Sequence, residues 1–510
     1  MQKTDENNTI IDFLLSFVLL TGAYLGQILA YRIGTDSEIA YLSDDSLVWL
    51  QQGRWLTYLF EQYVYTNPIV PAFAILLFVG LYSWSCLSFL KDIVGLSRSN
   101  AVLLTLVSGS FISWTYLIAF PANLFPFAVA ILLAFISARL FDASLKSVRK
   151  KSYRDTALRL GLIIGLGSMI AGIYEAGLIL FACLSGIVLF CQLNAELEHQ
   201  PARDTPAKTS DSFRLIAQFC VMLIVAIISA YFLSNFICAV MLNLRDSSRV
   251  VLHHNVSIHT VLGAPLMEIS ELLRLVGRYA GGSEAIYGQF TLAPILVILA
   301  FLIATISALF INWRKAIFAV LIAGGVFCVA GSINLISLNY GALRMSIPFP
   351  IAFLCLMVIE AMWRPNYLKK LIPVVYLLCF VLNAYVLSLV GMSEINIRRY
   401  DENLAFDIAD AAIELADAKS GDLIFLDVHG QPSYEHRGPK FESSPTGVSV
   451  FSWWPARHRS VIYIRAMGFE EFRTPSDAQH EENGDFAAQM PAWPREGSMV
   501  MKDGIIVLKF

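Results

Sequence analysis

DSEIAYLSDDSLVWLQQGRWLTYLFEQYVY, residues Asp36 to Tyr65, lies between two apolar runs each long enough to cross a bilayer. Four acids, Asp36, Glu38, Asp44 and Asp45, lead into a segment that carries Trp49, Arg54, Trp55, Tyr58, Phe60, Tyr63 and Tyr65. A loop that only joins two membrane helices needs neither paired carboxylates nor an aromatic amphipathic helix. A reaction centre at the membrane surface uses both. The aromatic segment is expected to lie in the water–lipid interface and to hold its carboxylates where a lipid-linked headgroup would sit. Ser43-Asp44-Asp45-Ser46 is also what a helix start looks like, since Ser or Asp there caps free amides and meets the positive end of the helix dipole. Arg54 interrupts the apolar stretch and suits either a substrate phosphate or a lipid phosphate reached by snorkelling.

The surrounding composition explains why a membrane is the right frame. Hydrophobic residues make up 56% of the 510 and charged residues only 15%, against about a quarter charged in soluble domains, and the mean hydropathy is +0.61. The net charge of −3 leaves no footprint for nucleic acid. The eight cysteines lie in or beside apolar runs, so they read as small buried hydrophobes rather than a disulfide framework or a zinc set.

A span needs about 20 mostly apolar residues. Eleven segments meet that ruler: 10–30, 68–90, 100–119, 123–141, 157–173, 175–192, 213–241, 290–312, 316–336, 345–363 and 371–391. The first reads as a retained helix rather than a cleaved signal, and the fifth and sixth meet in a tight turn at Ile173-Tyr174-Glu175. With the N-terminus in the cytoplasm, loops 91–99, 142–156, 193–212, 313–315 and 364–370 face inward and carry fourteen Lys and Arg. The longer opposite loops carry seven: Arg32, Arg54, Arg245, Arg249, Arg274, Arg278 and Arg344. The positive-inside rule therefore puts the N-terminus in the cytoplasm and loops 31–67 and 242–289 and the C-terminal segment on the outer face of the membrane.

The expected organisation is a polytopic α-helical membrane unit, residues 1–391, and a small α/β or α+β domain on the outer side, residues 392–510. Within the second, 403–419 reads as helix, 422–428 and 461–465 as strands, and 499–508 as a hairpin turning at Asp503-Gly504.

Other polar residues stand at the outer ends of spans. Arg344 precedes Met345-Ser-Ile-Pro and suits a phosphate or pyrophosphate, with lipid-headgroup anchoring as the alternative. Tyr174 and Glu175, with almost no loop to hold them, are expected to point into or along an outer cavity. In loop 242–289, Arg245, Asp246, Arg249, His253, His254 and His259 cluster, but no carboxylate or cysteine stands at a metal-ligand spacing, so a solvated loop accounts for the histidines and no metal is assigned. Trp453-Trp454-Pro455 suits either stacking on sugar rings or a packed core. No span holds a histidine, and none holds an acid or base near its middle. Ion-coupled transporters and membrane acyltransferases, which rely on such groups, lose weight.

Ser43-Asp44-Asp45 followed by Gly53-Arg54-Trp55-Leu56, soon after a first membrane helix, resembles bacterial and phage serotype-converting O-antigen glucosyltransferases. Tyr174-Glu175 at an outer turn is similar to the Tyr-Gln of that family, with Glu replacing Gln. Arg344 ahead of Ile347-Pro348 is similar to its Arg-x-x-x-Pro-like segment. The many-span plan with an outer C-terminal domain covers nearly the whole chain. The resemblance implies a GT-C-like hexosyltransferase that takes a hexose, glucose for preference, from a polyprenyl-phosphate donor and gives it to lipid-linked O-antigen. In that reading Asp45 or Asp44 is the base, with Asp45 preferred, and Arg344 with Arg54 or Arg249 meets the departing phosphate. Tyr174 and Glu175 complete the substrate contacts. An O-antigen polymerase or lipid-linked saccharide transporter would share the many-span plan, and a receptor or channel would leave the loop acids dispensable. Neither the sugar, the linkage nor a metal requirement is readable.

Overall fold

A computed structural model describes residues 2–30, 47–65, 70–118, 120–198, 209–248, 265–337, 347–417, 422–432, 448–452 and 456–510. Helices α1 (Gln2–Ala23) and α2 (Leu25–Ala30) open the chain, followed by two short helices, α3 (Leu47–Gln51) and α4 (Trp55–Tyr63). Then come α5 (Pro71–Asp92), α6 (Arg98–Gly109), α7 (Thr115–Ile118), α8 (Pro121–Arg149), α9 (Tyr153–Ile173) and α10 (Ala176–Glu198). The rest of the bundle is α11 (Thr209–Leu244), α12 (Pro265–Ala280), α13 (Glu284–Tyr287), α14 (Ala293–Ile311), α15 (Trp313–Ser337), α16 (Phe349–Trp363) and α17 (Leu371–Ala416).

Eight described helices are long and apolar enough to cross a membrane, and a bent pair, Arg98–Gly109 with Ile112–Ile118, makes a ninth. Two shorter apolar helices, Asn8–Ala23 and Phe349–Trp363, fall at the other two expected positions. The protein is a mostly helical, polytopic membrane protein.

The bent pair turns by 51° at a break after Gly109, where carbonyls lose their helical partners. In an apolar setting such groups must be satisfied by side chains. Trp114 Nε1 donates to the Ser108 carbonyl at 2.9 Å and the Tyr24 hydroxyl to that of Gly109 at 2.8 Å. Asn383 Nδ2 reaches the Val107 carbonyl at 3.5 Å and Ser110 Oγ at 3.3 Å. One local indole and two side chains from distant parts of the chain thus hold the kink. Crossing of α2 over α17 rests on a glycine pair, since a Cβ on Gly26 would come within 2.9 Å of Gly391 Cα. Close backbone approach of this kind is what small residues permit between membrane helices.

Helix α17 runs unbroken through the expected boundary at 391–392. Its 46 residues span about 69 Å at 1.5 Å per residue, more than twice a ~30 Å hydrocarbon core. Near its start Tyr376 donates to Glu360 at 2.8 Å, and further on Arg398 donates to the Ala30 carbonyl at 2.9 Å. Ala30 closes α2, while Asp12, near the start of the apolar stretch Asn8–Ala23 of α1, pairs with Lys91 at the end of α5. The start of α5 meets the start of α8 through stacked Phe73 and Phe125. Helix direction therefore brings the end of α17, the end of α2 and the start of α8 to one end of the bundle.

Leu404, Ile408 and Ala412 of α17 enter a second apolar core, separate from that of the bundle. There the helix packs on a four-stranded mixed sheet of order β2-β1-β4-β3, with β1 (Ile424–His429), β2 (Phe472–Arg473), β3 (Met499–Lys502) and β4 (Ile505–Lys509). β1 runs parallel to β2 and β4, and β3 is antiparallel to β4. The hairpin turns where expected, with Asp503 and Gly504 both at positive φ, as a two-residue turn of this twist requires.

The strand expected at 461–465 is instead part of helix α18 (Ala456–Ala466). Ser460, Val461, Tyr463 and Ile464 are all buried, at helical rather than alternating spacing. A five-residue β-branched and aromatic run fits either element, and packing decided it. Helix α19 (Asp477–Ala488) follows a complete capping box of Ser476 and Gln479. Beneath it Asp427 of β1 is fully buried. Burial pushes its carboxyl upward, but hydrogen bonds from His429, His480 and Asn483 outweigh that and hold it down at about 2.

Candidate active site

The segment expected to form one interfacial helix forms two, and it is wedged into the bundle rather than lying on it. Trp49, Leu50, Trp55, Leu56, Thr57 and Tyr58 are all buried. The break is local chemistry. Gly53 takes a φ of 89°, its N–H bonds the Leu50 carbonyl at 3.0 Å, and the Arg54 N–H bonds the Trp49 carbonyl at 2.8 Å. That pair of bonds is a Schellman ending, which needs a residue at ease with positive φ. Such endings usually add a contact between the residue after the glycine and the last helical turn. Here Arg54 makes it, with its guanidinium 5.4 Å from the Trp49 ring centre. Arg54 then starts α4, so it stands at the corner between the two helices.

Two further groups meet the same guanidinium. The Tyr174 ring lies 4.9 Å from Arg54 Cζ, and Asn123 Oδ1 accepts from Arg54 Nη1 at 3.1 Å. Tyr174 is itself braced edge-on by Phe127. Contacts between a guanidinium and ring faces are worth about 0.5–2 kcal/mol each, enough to orient the group. Among the described residues Arg54 has no carboxylate partner, so donors remain for an anion.

The corner is pinned from three sides. Trp55 Nε1 donates to Ser234 Oγ of α11 at 2.9 Å, and its indole lies so close to Gly172 of α9 that a Cβ there would overlap it. Thr57 Oγ1 donates to the Ile173 carbonyl at 3.3 Å. Phe60 of α4 packs edge-on against Phe125 of α8. Beyond the corner, Gln51 donates to Ser247 at 3.1 Å and Arg245 lies 5.9 Å from the Tyr58 ring centre. Arg245 is exposed.

Of the residues expected to act, Arg54 and Tyr174 are brought together. Glu175 is exposed and pairs with no described arginine, which departs from the expectation that it points into a cavity beside Tyr174. The α9–α10 turn itself is as tight as expected, closed by bonds from Gly177 N–H to the Tyr174 carbonyl and from Leu178 N–H to that of Glu175. Asp44, Asp45, Arg249 and Arg344 lie outside the described residues, as do His253, His254, His259 and Trp453-Trp454-Pro455. Asn123 was not singled out from the sequence, and Arg245 was named only within the cluster of loop 242–289. Asn123 is an isolated amide between Pro121 and Pro126, a pair that reads only as a turn signal.

A family model for glucosyl transferase GtrII matches residues 25–362. The chain belongs to that family. Neither a curated protein nor a solved structure matches it. The match runs from α2 into α16, so the Arg54 corner, Asn123 and Tyr174 all lie within it. As a GtrII glucosyl transferase the protein is a glycosyltransferase, and it requires a sugar donor and an acceptor. The resemblance drawn from Ser43-Asp44-Asp45 and Gly53-Arg54-Trp55-Leu56 points to this same family.

Proposed function

We propose that this GtrII glucosyl transferase moves glucose from a polyprenyl-phosphate donor onto lipid-linked O-antigen or a similar surface polysaccharide, at the periplasmic face of the bacterial inner membrane. The observation that carries the reading is Arg54, fixed by Trp49, Tyr174 and Asn123 with no described carboxylate to neutralise it. A guanidinium matches phosphate oxygens in pairs, so a positioned and uncompensated one suits the phosphate end of a lipid-linked donor. Arg344 and Arg249, on the same expected face, would share that charge, and Tyr174 and Glu175 would border the sugar.

The reaction is a single displacement. An acceptor hydroxyl oxygen bonds to the anomeric carbon as the bond from that carbon to the phosphate oxygen breaks. The hydroxyl proton passes to Asp45 or Asp44, and polyprenyl phosphate leaves with the electron pair. Attack from the opposite face inverts the anomeric centre. A carboxylate of ordinary pKa, about 4, is a weak base for an alcohol, so the proton moves late. Alignment of the reactants and stabilisation of the departing phosphate supply most of the rate.

A transporter reading draws no support from three buried acids of the bundle that are closed into pairs: Asp12 with Lys91 and Arg98, Asp142 with Lys146, and Glu360 with Arg364. Asp44→Asn and Asp45→Asn variants, expressed to equal levels in the membrane, test the assignment by mass analysis of lipopolysaccharide. One hexose per repeat should appear with the parent chain and disappear with at least one variant. Unchanged hexose addition by both rejects the proposed base, and altered chain length without added hexose favours a polymerase.

A further inference from the structure

Two elements beyond the bundle converge on a second cluster, unrelated to the Arg54 corner. Asp427 and His429 stand two apart on β1 and so share one face of the strand. His480 and Asn483 stand three apart on α19 and share one face of the helix. The faces meet. His429 Nε2 lies 3.0 Å from Asp427 Oδ2, and His480 Nδ1 lies 2.5 Å from Oδ1. The two imidazoles stack at 4.2 Å with their planes 14° apart. One ligand atom from each of the three residues falls within 4.8 Å of the others, and among the described residues no other group of three does so.

We propose that Asp427, His429 and His480 bind a divalent transition-metal ion, zinc by preference, that clamps α19 onto β1 and leaves a coordination position open. Two imidazole nitrogens and one carboxylate oxygen form a mixed set of borderline donors, which suits zinc and its neighbours rather than calcium or magnesium. An outer layer is already built. Asn483 Nδ2 donates to Asp427 Oδ2 at 3.0 Å, and Asn483 Oδ1 accepts from Lys502 Nζ at 3.0 Å. Such outer partners orient ligands and raise affinity. The nearest fixed positive charge, Arg457, is 4.0 Å from Asp427 but is turned to Asp477 at 3.0 Å and to the Pro475 carbonyl at 2.6 Å. Asp477 offsets it.

The test uses the full-length, tag-free chain in detergent, stripped with EDTA and titrated with zinc against a chromogenic chelator. One ion per chain is expected, lost in the His429→Ala/His480→Ala double variant. Asn483→Ala should weaken binding by about 10- to 100-fold, while His458→Ala, outside the ligand set, should leave it unchanged. Cobalt substituted into the unmutated chain should give the intense visible bands of a four- or five-coordinate ion, a readout that requires no variant to fold. Absence of zinc uptake by the unmutated chain, uptake that survives the double variant, or only the weak six-coordinate cobalt spectrum overturns the proposal.

Discussion

Two sites at opposite ends of the helical bundle treat charge in opposite ways. At one end each buried acid is closed into a network. Glu360, 1% exposed, takes both arms of Arg364 at 2.8 Å and the Tyr376 hydroxyl at 2.8 Å, and Arg364 also reaches Asn100. Asp12 accepts from Lys91 and Arg98, and Asp142 from Lys146 and Gln192. At the other end Arg54 is held by ring faces and one amide oxygen, and no described carboxylate answers it. A closed network holds helices together and offers nothing to a ligand. An oriented cation without a counter-charge adds little to the fold and is ready for an anion. On the proposed function, that difference separates structural charge from functional charge among the described residues.

The largest effect should come from Asp44 and Asp45, the acids proposed to act as the base. Asp45→Asn or Asp44→Asn should lower transfer by about 10²–10⁴-fold, the range for loss of a general base, with unchanged amounts of folded protein. Full activity of both, measured in membranes with defined donor, would break the comparison at its functional end. At the closed end the result should reverse. Glu360→Ala leaves Arg364 buried and unpaired, which costs about 3–5 kcal/mol of stability. Thermal unfolding in detergent should show a large drop, and turnover per folded molecule should hold. Lost turnover in a fully stable variant would mean that the closed end takes part in the chemistry.

Smaller effects sharpen the boundary between the two. Gly172→Ala pushes a methyl into the Trp55 indole, and overpacking of this kind costs about 1–3 kcal/mol. Because Trp55 follows Arg54 directly, activity should fall along with stability. Trp55→Phe removes the bond to Ser234 and part of the buried indole and should cost about 1–3 kcal/mol, with activity close to that of the parent chain. A Trp55→Phe variant as inactive as an Asp45 variant would assign the indole a direct role.

Hydropathy made the bundle legible, because a span is a long continuous signal that few local accidents can mask. The kink after Gly109 was not legible, since two of the donors that stabilise it come from Tyr24 and Asn383, and only the fold brings them there. The 46-residue α17 was divided at residue 392 because composition changes there, yet helical propensity continues across the change. At the site, Arg54 and Tyr174 stood out as polar groups at the ends of apolar runs. Asn123 did not, because a lone amide between two prolines carries no pattern. The cluster on β1 and α19 joins His429 to His480, fifty-one residues apart, a spacing no metal motif announces. The Gly53 break was readable in principle, as a glycine before a new aromatic run, but the aromatic periodicity on both sides favoured one continuous helix.

Arg54 carries the central claim, and its substitution is the most direct measurement. Arg54→Ala should be compared with the parent chain in purified form, with glucosyl polyprenyl phosphate as donor and a lipid-linked saccharide as acceptor. Loss of the group that meets developing phosphate charge should lower turnover by about 10²–10³-fold, and Arg54→Lys should restore part of it. Turnover by Arg54→Ala equal to that of the parent chain, in protein shown to be folded, would contradict the account.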